Sequence, residues 1–254
     1  MTTASIVLYN NDINILREAI DSFLNSDSAT HLYLVDNSPS DELKILGNNH
    51  NITYLHYPEN LGFGAAHNIA IKKSLLTDSI YHLILNPDVY FDPSEMDKMI
   101  AFMEQDAEIG QLMPKVTFPN GDLQYLCKRN PTMFDLFARR FMPGFLKSQF
   151  KQKMDLYEYR DHDYNNIIYN VPYLSGCFML LRNEILKKNE ILFDEKIFMY
   201  IEDADLTRRI LQVSKTVYYP FAHIYHHYGK GSYNNFKLMK YNIESALYYF
   251  KKWK

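Results

Sequence analysis

Two cysteines in 254 residues, Cys127 and Cys177, are too few for a disulfide scaffold or a structural zinc site, and they fit a reducing, cytoplasmic setting. No apolar run approaches the ~20 residues that cross a bilayer. The basic stretch and apolar core of a signal peptide are missing too, since a strand-like Ala4-Ser5-Ile6-Val7-Leu8-Tyr9 begins almost at once. The expectation is a protein that is soluble or attached peripherally to a membrane. Charge of one sign is also lacking: 27 basic against 30 acidic residues give a net charge of -3, which argues against a general nucleic-acid binder. There is no P-loop pattern and no full G-x-G-x-x-G, which disfavours a kinase and a Rossmann dehydrogenase. Repeats, low-complexity tracts and flexible linkers are likewise missing.

What is abundant is aromatic, with Tyr 21 and Phe 16. Sugar and lipid sites favour such rings, although most of them belong in a core. The first half alternates short apolar runs (6–9, 32–35, 52–55, 81–85) with helical patterns (13–24, 65–76), the signature of βαβ units on a mostly parallel sheet. A helix from 92 to 104, a strand over 111–118 and a turn at Pro119-Asn120-Gly121-Asp122 follow. Residues 173–181 read as one buried strand interrupted by Ser175-Gly176, and 206–213 as a helix. Between Lys128 and Lys153 seven basic side chains alternate with five phenylalanines. That segment reads as a surface for an anionic or membrane-borne partner, or equally as an amphipathic helix with a solvated basic face.

The sharpest signal is Phe198-Met199-Tyr200-Ile201-Glu202-Asp203-Ala204-Asp205-Leu206, which crowds three carboxylates into four residues. Such repulsion is costly unless a cation or a proton in transit uses it. A second acidic signal, Asp88 in Leu85-Asn86-Pro87-Asp88-Val89, follows a strand; it could hold a divalent cation or merely cap a turn. Asn10, Asp36, Asn37 and Asp88 all fall at carboxyl ends of strands, where open α/β sheets bind ligands. Asp36-Asn37-Ser38 could bond a nucleobase or ribose, or form a plain Asx turn. The small-residue loop from Asn60 through Gly62 and Gly64 to Asn68 opens a helix and could admit a diphosphate. His223, His226 and His227 are candidate metal or phosphate partners, or packing histidines.

In order and spacing these segments, with Arg129-Asn130-Pro131-Thr132, Leu174-Ser175-Gly176-Cys177-Phe178-Met179-Leu180, and His226 with Gly229 and Ser232, resemble the family 2 glycosyltransferases of GT-A fold. The likeness is to the bacterial rhamnosyltransferase-like branch that builds O-antigen and other surface polysaccharides. It implies an α/β GT-A domain over residues 1–233, with a nucleotide-sugar half (1–92) and an acceptor half (93–233), followed by an amphipathic helix over 234–254. It implies Asp203 as general base of an inverting displacement, with Glu202 beside it. Tyr9, Asn10, Asp36, Asn37, Asn60, Gly62, Asn68, Asn86 and Asp88 would bind the donor, and Ser175, Gly176, Glu202 and Asp205 the acceptor. Asp88 and His226 would hold Mg²⁺ or Mn²⁺, although Asn86 and Pro87 replace the first part of the family's D-x-D motif. The implied donor is dTDP-L-rhamnose and the implied acceptor a polyprenyl-diphosphate-linked saccharide. The enzyme would then work on the inner face of the cell membrane, at an anionic surface contacted by the basic segment and the C-terminal helix. The alternative is a non-catalytic nucleotide-sugar or glycan binder; a nucleotidyltransferase is disfavoured, because its glycine- and arginine-rich, lysine-bearing loop is absent.

Overall fold

A computed structural model describes residues 1–136, 149–228 and 236–254. The strands are β1 (Thr2–Leu8), β2 (Ala29–Asp36), β3 (Ile52–His56), β4 (Tyr81–Leu85), β5 (Val89–Tyr90), β6 (Ile109–Thr117), β7 (Cys127–Lys128), β8 (Ile168–Tyr169), β9 (Tyr173–Leu174), β10 (Phe178–Arg182) and β11 (Lys215–His226). The helices are α1 (Ile13–Leu24), α2 (Phe63–Ser74), α3 (Ser94–Glu104), α4 (Lys151–Tyr157), α5 (Asn183–Lys188), α6 (Glu202–Leu211) and α7 (Phe236–Lys252), with a 3-10 turn at Glu42–Asn48. The main sheet runs β3-β2-β1-β4-β10-β6-β11-β5, with β8 on β11. β1 to β4, β6 and β11 share one direction, while β5, β8 and β10 run against them. The mostly parallel α/β sheet expected from the alternation is therefore present.

Its central strands are apolar throughout because both faces are covered. Leu83 and Leu85 of β4 join the cluster beneath α1 and α3, and Ile84 between them joins the one beneath α2 and α6. α1 turns Leu16, Ala19, Ile20 and Phe23 inward at helical spacing, and Asp12 caps it by accepting from the Asn14 N–H at 2.7 Å. Each buried large aliphatic side chain contributes about 1.5–3 kcal/mol.

Three sequence expectations are corrected. The 173–181 run is two strands in different sheets, since β9 pairs with β7 while β10 enters the main sheet. The helix expected from 206 begins at Glu202, because three acids in its first turn suit the positive end of a helix. β11 was not anticipated: Pro220 argues against a strand, and a register shift between Tyr219 and His223 accommodates it.

Register assembles the site. Antiparallel β10 pairs Phe178 with Leu85, so the turn before it meets the end of β4, and the Asn86 N–H donates to the Cys177 carbonyl at 2.9 Å. β5 pairs Val89 with His226, which brings the end of β11 to Asp88.

Candidate active site

At the carboxyl ends of these strands lies a cavity of about 410 Å³. Asn86, Asp88, Ser175, Gly176, Asp203 and His226 line it, together with Glu202. Residues far apart in sequence are thus drawn into one space.

On one side the His226 Nε2 stands 3.3 Å from the Asp88 Oδ1. The ring's other nitrogen is 3.0 Å from the Gln124 Oε1, and the Gln124 amide donates to the His226 carbonyl at 2.8 Å. A carbonyl oxygen only accepts, so Nδ1 carries a proton and Nε2 faces Asp88. Burial disfavours the imidazolium, yet the adjacent Cys177 sulfur and the Asp88 carboxylate overcome it and raise the pKa to about 10. The pair thus invites positive charge. Without a cation the ring's second proton lies between Nε2 and Asp88; a divalent cation completed by diphosphate oxygens and water would take that proton's place, with Nδ1–H kept on Gln124. Among the described residues no group of three His, Cys, Asp or Glu side chains forms a cation cage.

On the other side Asp203 opens α6. Its Oδ2 accepts from the Gly176 N–H at 2.9 Å and the Tyr173 hydroxyl at 3.2 Å, and its Oδ1 from the Ala204 N–H at 2.9 Å. A side chain on Gly176 would bring a Cβ to 3.1 Å from the Asp203 Cβ, so any larger residue there would have to push the carboxylate aside by a few tenths of an ångström. Glu202 differs sharply: it is buried, and its Oε2 has no hydrogen-bond partner among the described residues. Burial first, then the neighbouring Asp203 charge, pushes its pKa well above the usual carboxylate range. Adjacent carboxyls in unequal surroundings can take different protonation states. Just before them Tyr200 and Ile201 hold φ of 70° and 68°, a left-handed conformation costing each about 1–3 kcal/mol. Packing maintains it, through Ile201 in a cluster with Tyr249 and a hydrogen bond of 2.8 Å from the Ser245 hydroxyl to the Met199 carbonyl.

Several expected donor contacts lie behind this surface. Asp36 is fully buried; its Oδ1 accepts from the Ser38 N–H at 2.8 Å and its Oδ2 from the Tyr54 hydroxyl at 2.5 Å. Asn37 and Asn60 bond the backbone of the 61–62 turn. Gly62 has φ +86°, and a Cβ there would strike the Phe198 carbonyl oxygen, so it joins α2 to the loop before α6 by close approach. Asn68 spends its amide on Phe193 and Glu195. Asp36, Asn37, Asn60, Gly62 and Asn68 thus shape the floor behind the cavity through bonds within the protein, and none of the five lines it. Tyr9 and Asn10 remain exposed at the strand end, where the Asn10 N–H donates to the Ser38 hydroxyl at 2.9 Å.

Asp205 does not line the cavity. It points away from the cavity, wholly buried, into Arg209 Nε at 2.9 Å, Lys252 Nζ at 2.8 Å and Trp253 Nε1 at 2.8 Å. The C-terminal helix therefore ties Lys252 and Trp253 to α6 through Asp205. Of the three histidines only His226 lines the cavity; His223 bonds Thr117 at 2.7 Å and His227 approaches Glu18 at 3.2 Å. Gly229, Ser232 and the middle of the basic aromatic segment lie outside the described residues. Within the rest of that segment, Lys128 covers the Tyr173 ring and Lys153 the Phe134 ring. Gln124 and Tyr173, both in contact with the key side chains, carried no sequence signal, since their partners are 102 and 30 residues away.

The profile described as "Glycosyl transferase family 2" matches residues 3–189. The chain belongs to that family. It is 27% identical over 186 residues to the N-acetylglucosaminyl-diphospho-decaprenol L-rhamnosyltransferase of Mycobacterium tuberculosis, a match covering 70% of this chain and 59% of that protein. It is 26% identical over 197 residues to Rhamnosyltransferase WbbL of Escherichia coli, covering 74% and 69%. The chain thus spans about three fifths of the length of the mycobacterial relative. Among solved structures, S. aureus TarS 1-349 in complex with UDP-GlcNAc superposes with a TM-score of 0.61 at 17% identity, covering 96% of this chain and 66% of that one. GalNAc-T7 with UDP, GalNAc and Mn²⁺ gives 0.62 at 14%, covering 89% and 42%. At such identities the likeness shows the fold, which is GT-A.

Proposed function

We propose that this family 2 chain is an inverting rhamnosyltransferase, moving L-rhamnose from dTDP-L-rhamnose to a polyprenyl-diphosphate-linked saccharide. The observation that carries the reading is the placement of Asp203 in the same cavity as the Asp88–His226 pair. Asp203 takes the proton of an acceptor hydroxyl while that oxygen attacks the anomeric carbon and the bond to the diphosphate breaks on the opposite face. Gly176 and Tyr173 hold the base in register by donating to its Oδ2. Asp88 and His226 would hold Mg²⁺ or Mn²⁺, which when bound offsets charge developing on the departing diphosphate. Asn86, Tyr9 and Asn10 face the donor, and Ser175, Gly176 and Glu202 the acceptor.

Donor and acceptor are supported by the names of the relatives, both rhamnosyltransferases and one acting on a diphospho-decaprenol-linked amino sugar. Work at an anionic membrane surface follows from such an acceptor. No described helix is long and apolar enough to cross a membrane. The test is a panel of nucleotide sugars offered with Mn²⁺ and a polyprenyl-diphosphate-linked N-acetylglucosamine. Transfer is expected from dTDP-L-rhamnose with inverted anomeric configuration; preferential transfer from another donor would replace that sugar, and retained configuration would remove the mechanism.

A further inference from the structure

The two carbonyls that precede the left-handed pair are held by two different helices. The Phe198 carbonyl accepts the Phe63 N–H of α2 at 3.1 Å, in the close approach that Gly62 permits. The next carbonyl, that of Met199, accepts the hydroxyl of the buried Ser245 on α7 at 2.8 Å. Tyr200 and Ile201 then turn through positive φ, and α6 begins directly after them. A helix start is commonly set by a Ser, Thr, Asp or Asn cap. Here Ile201 stands at that position and no side chain caps the helix, so the pinned loop before it sets where the first turn points.

A bulky and a β-branched residue keep this conformation only while their surroundings hold them in it. Asp203 is the second residue of α6, and its Oδ2 has to meet the Gly176 N–H and the Tyr173 hydroxyl together. Relaxation of the pair before it would turn the first helical turn and carry the carboxylate off both donors. We propose that Ser245 is a positioning residue for the general base: by holding the Met199 carbonyl it keeps Tyr200 and Ile201 left-handed and seats Asp203 against Gly176 and Tyr173. The proposal rests on the reading of Asp203 as that base and gives α7 a part in turnover. Lys252 and Trp253 anchor the far end of α7 to Asp205, and the Tyr249 hydroxyl accepts from Arg208 at 3.3 Å. The helix therefore stays docked when the Ser245 hydroxyl is removed.

The experiment compares the full chain with Ser245→Ala in transfer from dTDP-L-rhamnose to polyprenyl-diphosphate-linked N-acetylglucosamine, with Mn²⁺. The variant should lose about 10–10²-fold in kcat, the scale of loss when a reacting group is misplaced by about an ångström, while the calorimetric Kd for dTDP stays put. A merely structural hydroxyl would lower the melting temperature and leave kcat per folded molecule unchanged, which would overturn the proposal. A double-mutant cycle with Tyr200→Gly tests the route. Glycine takes positive φ without strain, so Ser245→Ala should cost less in that background than in the parent; equal losses in both would overturn the proposal. Amide hydrogen exchange needs no substrate: the Gly176 N–H, released from Asp203, should exchange faster in Ser245→Ala, and an unchanged rate would overturn the seating of Asp203 by Ser245. If the unaltered chain transfers nothing from this donor, the donor reading falls, and the Gly176 exchange rate decides the proposal by itself.

Discussion

Glu202 and Asp203 are consecutive residues of one type, and their surroundings divide them. Three donors converge on Asp203, while the buried Glu202 Oε2 meets none among the described residues. Asp203→Asn should therefore keep the fold and donor binding and cut turnover by about 10²–10⁴-fold; steady-state kinetics on the purified variant decide, and near-normal turnover would take Asp203 out of the mechanism. Across the cavity, Gln124 gives a sharper test of the cation site than either ligand. It fixes the imidazole tautomer without facing the cation itself, so Gln124→Ala should weaken Mn²⁺-dependent dTDP binding by about 10–100-fold. Asp88→Ala should abolish the Mn²⁺ enhancement, and calorimetry with and without the ion measures both. Full enhancement in Asp88→Ala would move the site elsewhere. The motif residues of this site were legible in the sequence because acids at strand ends and helix starts are local patterns. Gln124 was not, because its role arises only when β11 brings His226 beside it.

Among the elements, α7 has the least expected role. Its sequence, basic and aromatic, reads equally as a membrane-surface helix, and its placement is decided by one buried carboxylate. Asp205 gathers Arg209, Lys252 and the Trp253 indole, Arg208 lies 4.1 Å from the Trp253 ring, and Asp194 takes Lys252 and the Tyr248 hydroxyl. Breaking such a buried pair from one side costs about 3–5 kcal/mol. Asp205→Ala should accordingly lower the melting temperature by roughly 6–20 °C, whereas Asp203→Asn should not. Scanning calorimetry of the two variants checks the contrast; an unchanged melting point with a raised acceptor KM would return Asp205 to the acceptor site. Lys251, Lys252 and Lys254 are all exposed at this end, and of the three Lys252 is the one engaged with Asp194 and Asp205. Any salt-sensitive binding to anionic vesicles should then fall on charge reversal of Lys251 and Lys254, and survive if other basic surfaces carry it.

At the scale of the whole molecule, two neutral histidines are buried between the sheet and the helix on it, His82 in β4 and His67 in α2. The Ser5 hydroxyl lies 2.7 Å from His67 Nδ1 and 2.9 Å from His82 Nε2, and His82 continues to Thr3 at 2.8 Å. Burial lowers both pKa values, well below normal for His67 and to about 3 for His82. The unfolded chain binds these protons near pH 6.5 and the folded one does not. Their stabilising contribution is thus complete above pH 6.5 and lost as pH falls toward 3, at about 1.4 kcal/mol per pH unit for each ring. Urea midpoints should drop between pH 6.5 and 4, and His82→Asn should flatten the slope; an identical slope in that variant would place the acid sensitivity in other groups.

The sequence by itself determined the alternation of strand and helix, and with it the α/β class, because side-chain period is a local property of the chain. It also determined that acids stand at the end of β4 and beside a helix near 206, whereas the structure moved that helix's start back to include them in its first turn. Only the tertiary structure decided which acid does what. Asp203 and Asp205 are two residues apart on one helix, so their side chains leave it on different faces, one into the cavity and the other into Lys252 and Trp253. No local pattern encodes that choice, because the partners that settle it lie about 30 residues upstream, in Tyr173 and Gly176, and nearly 50 residues downstream, at the end of α7.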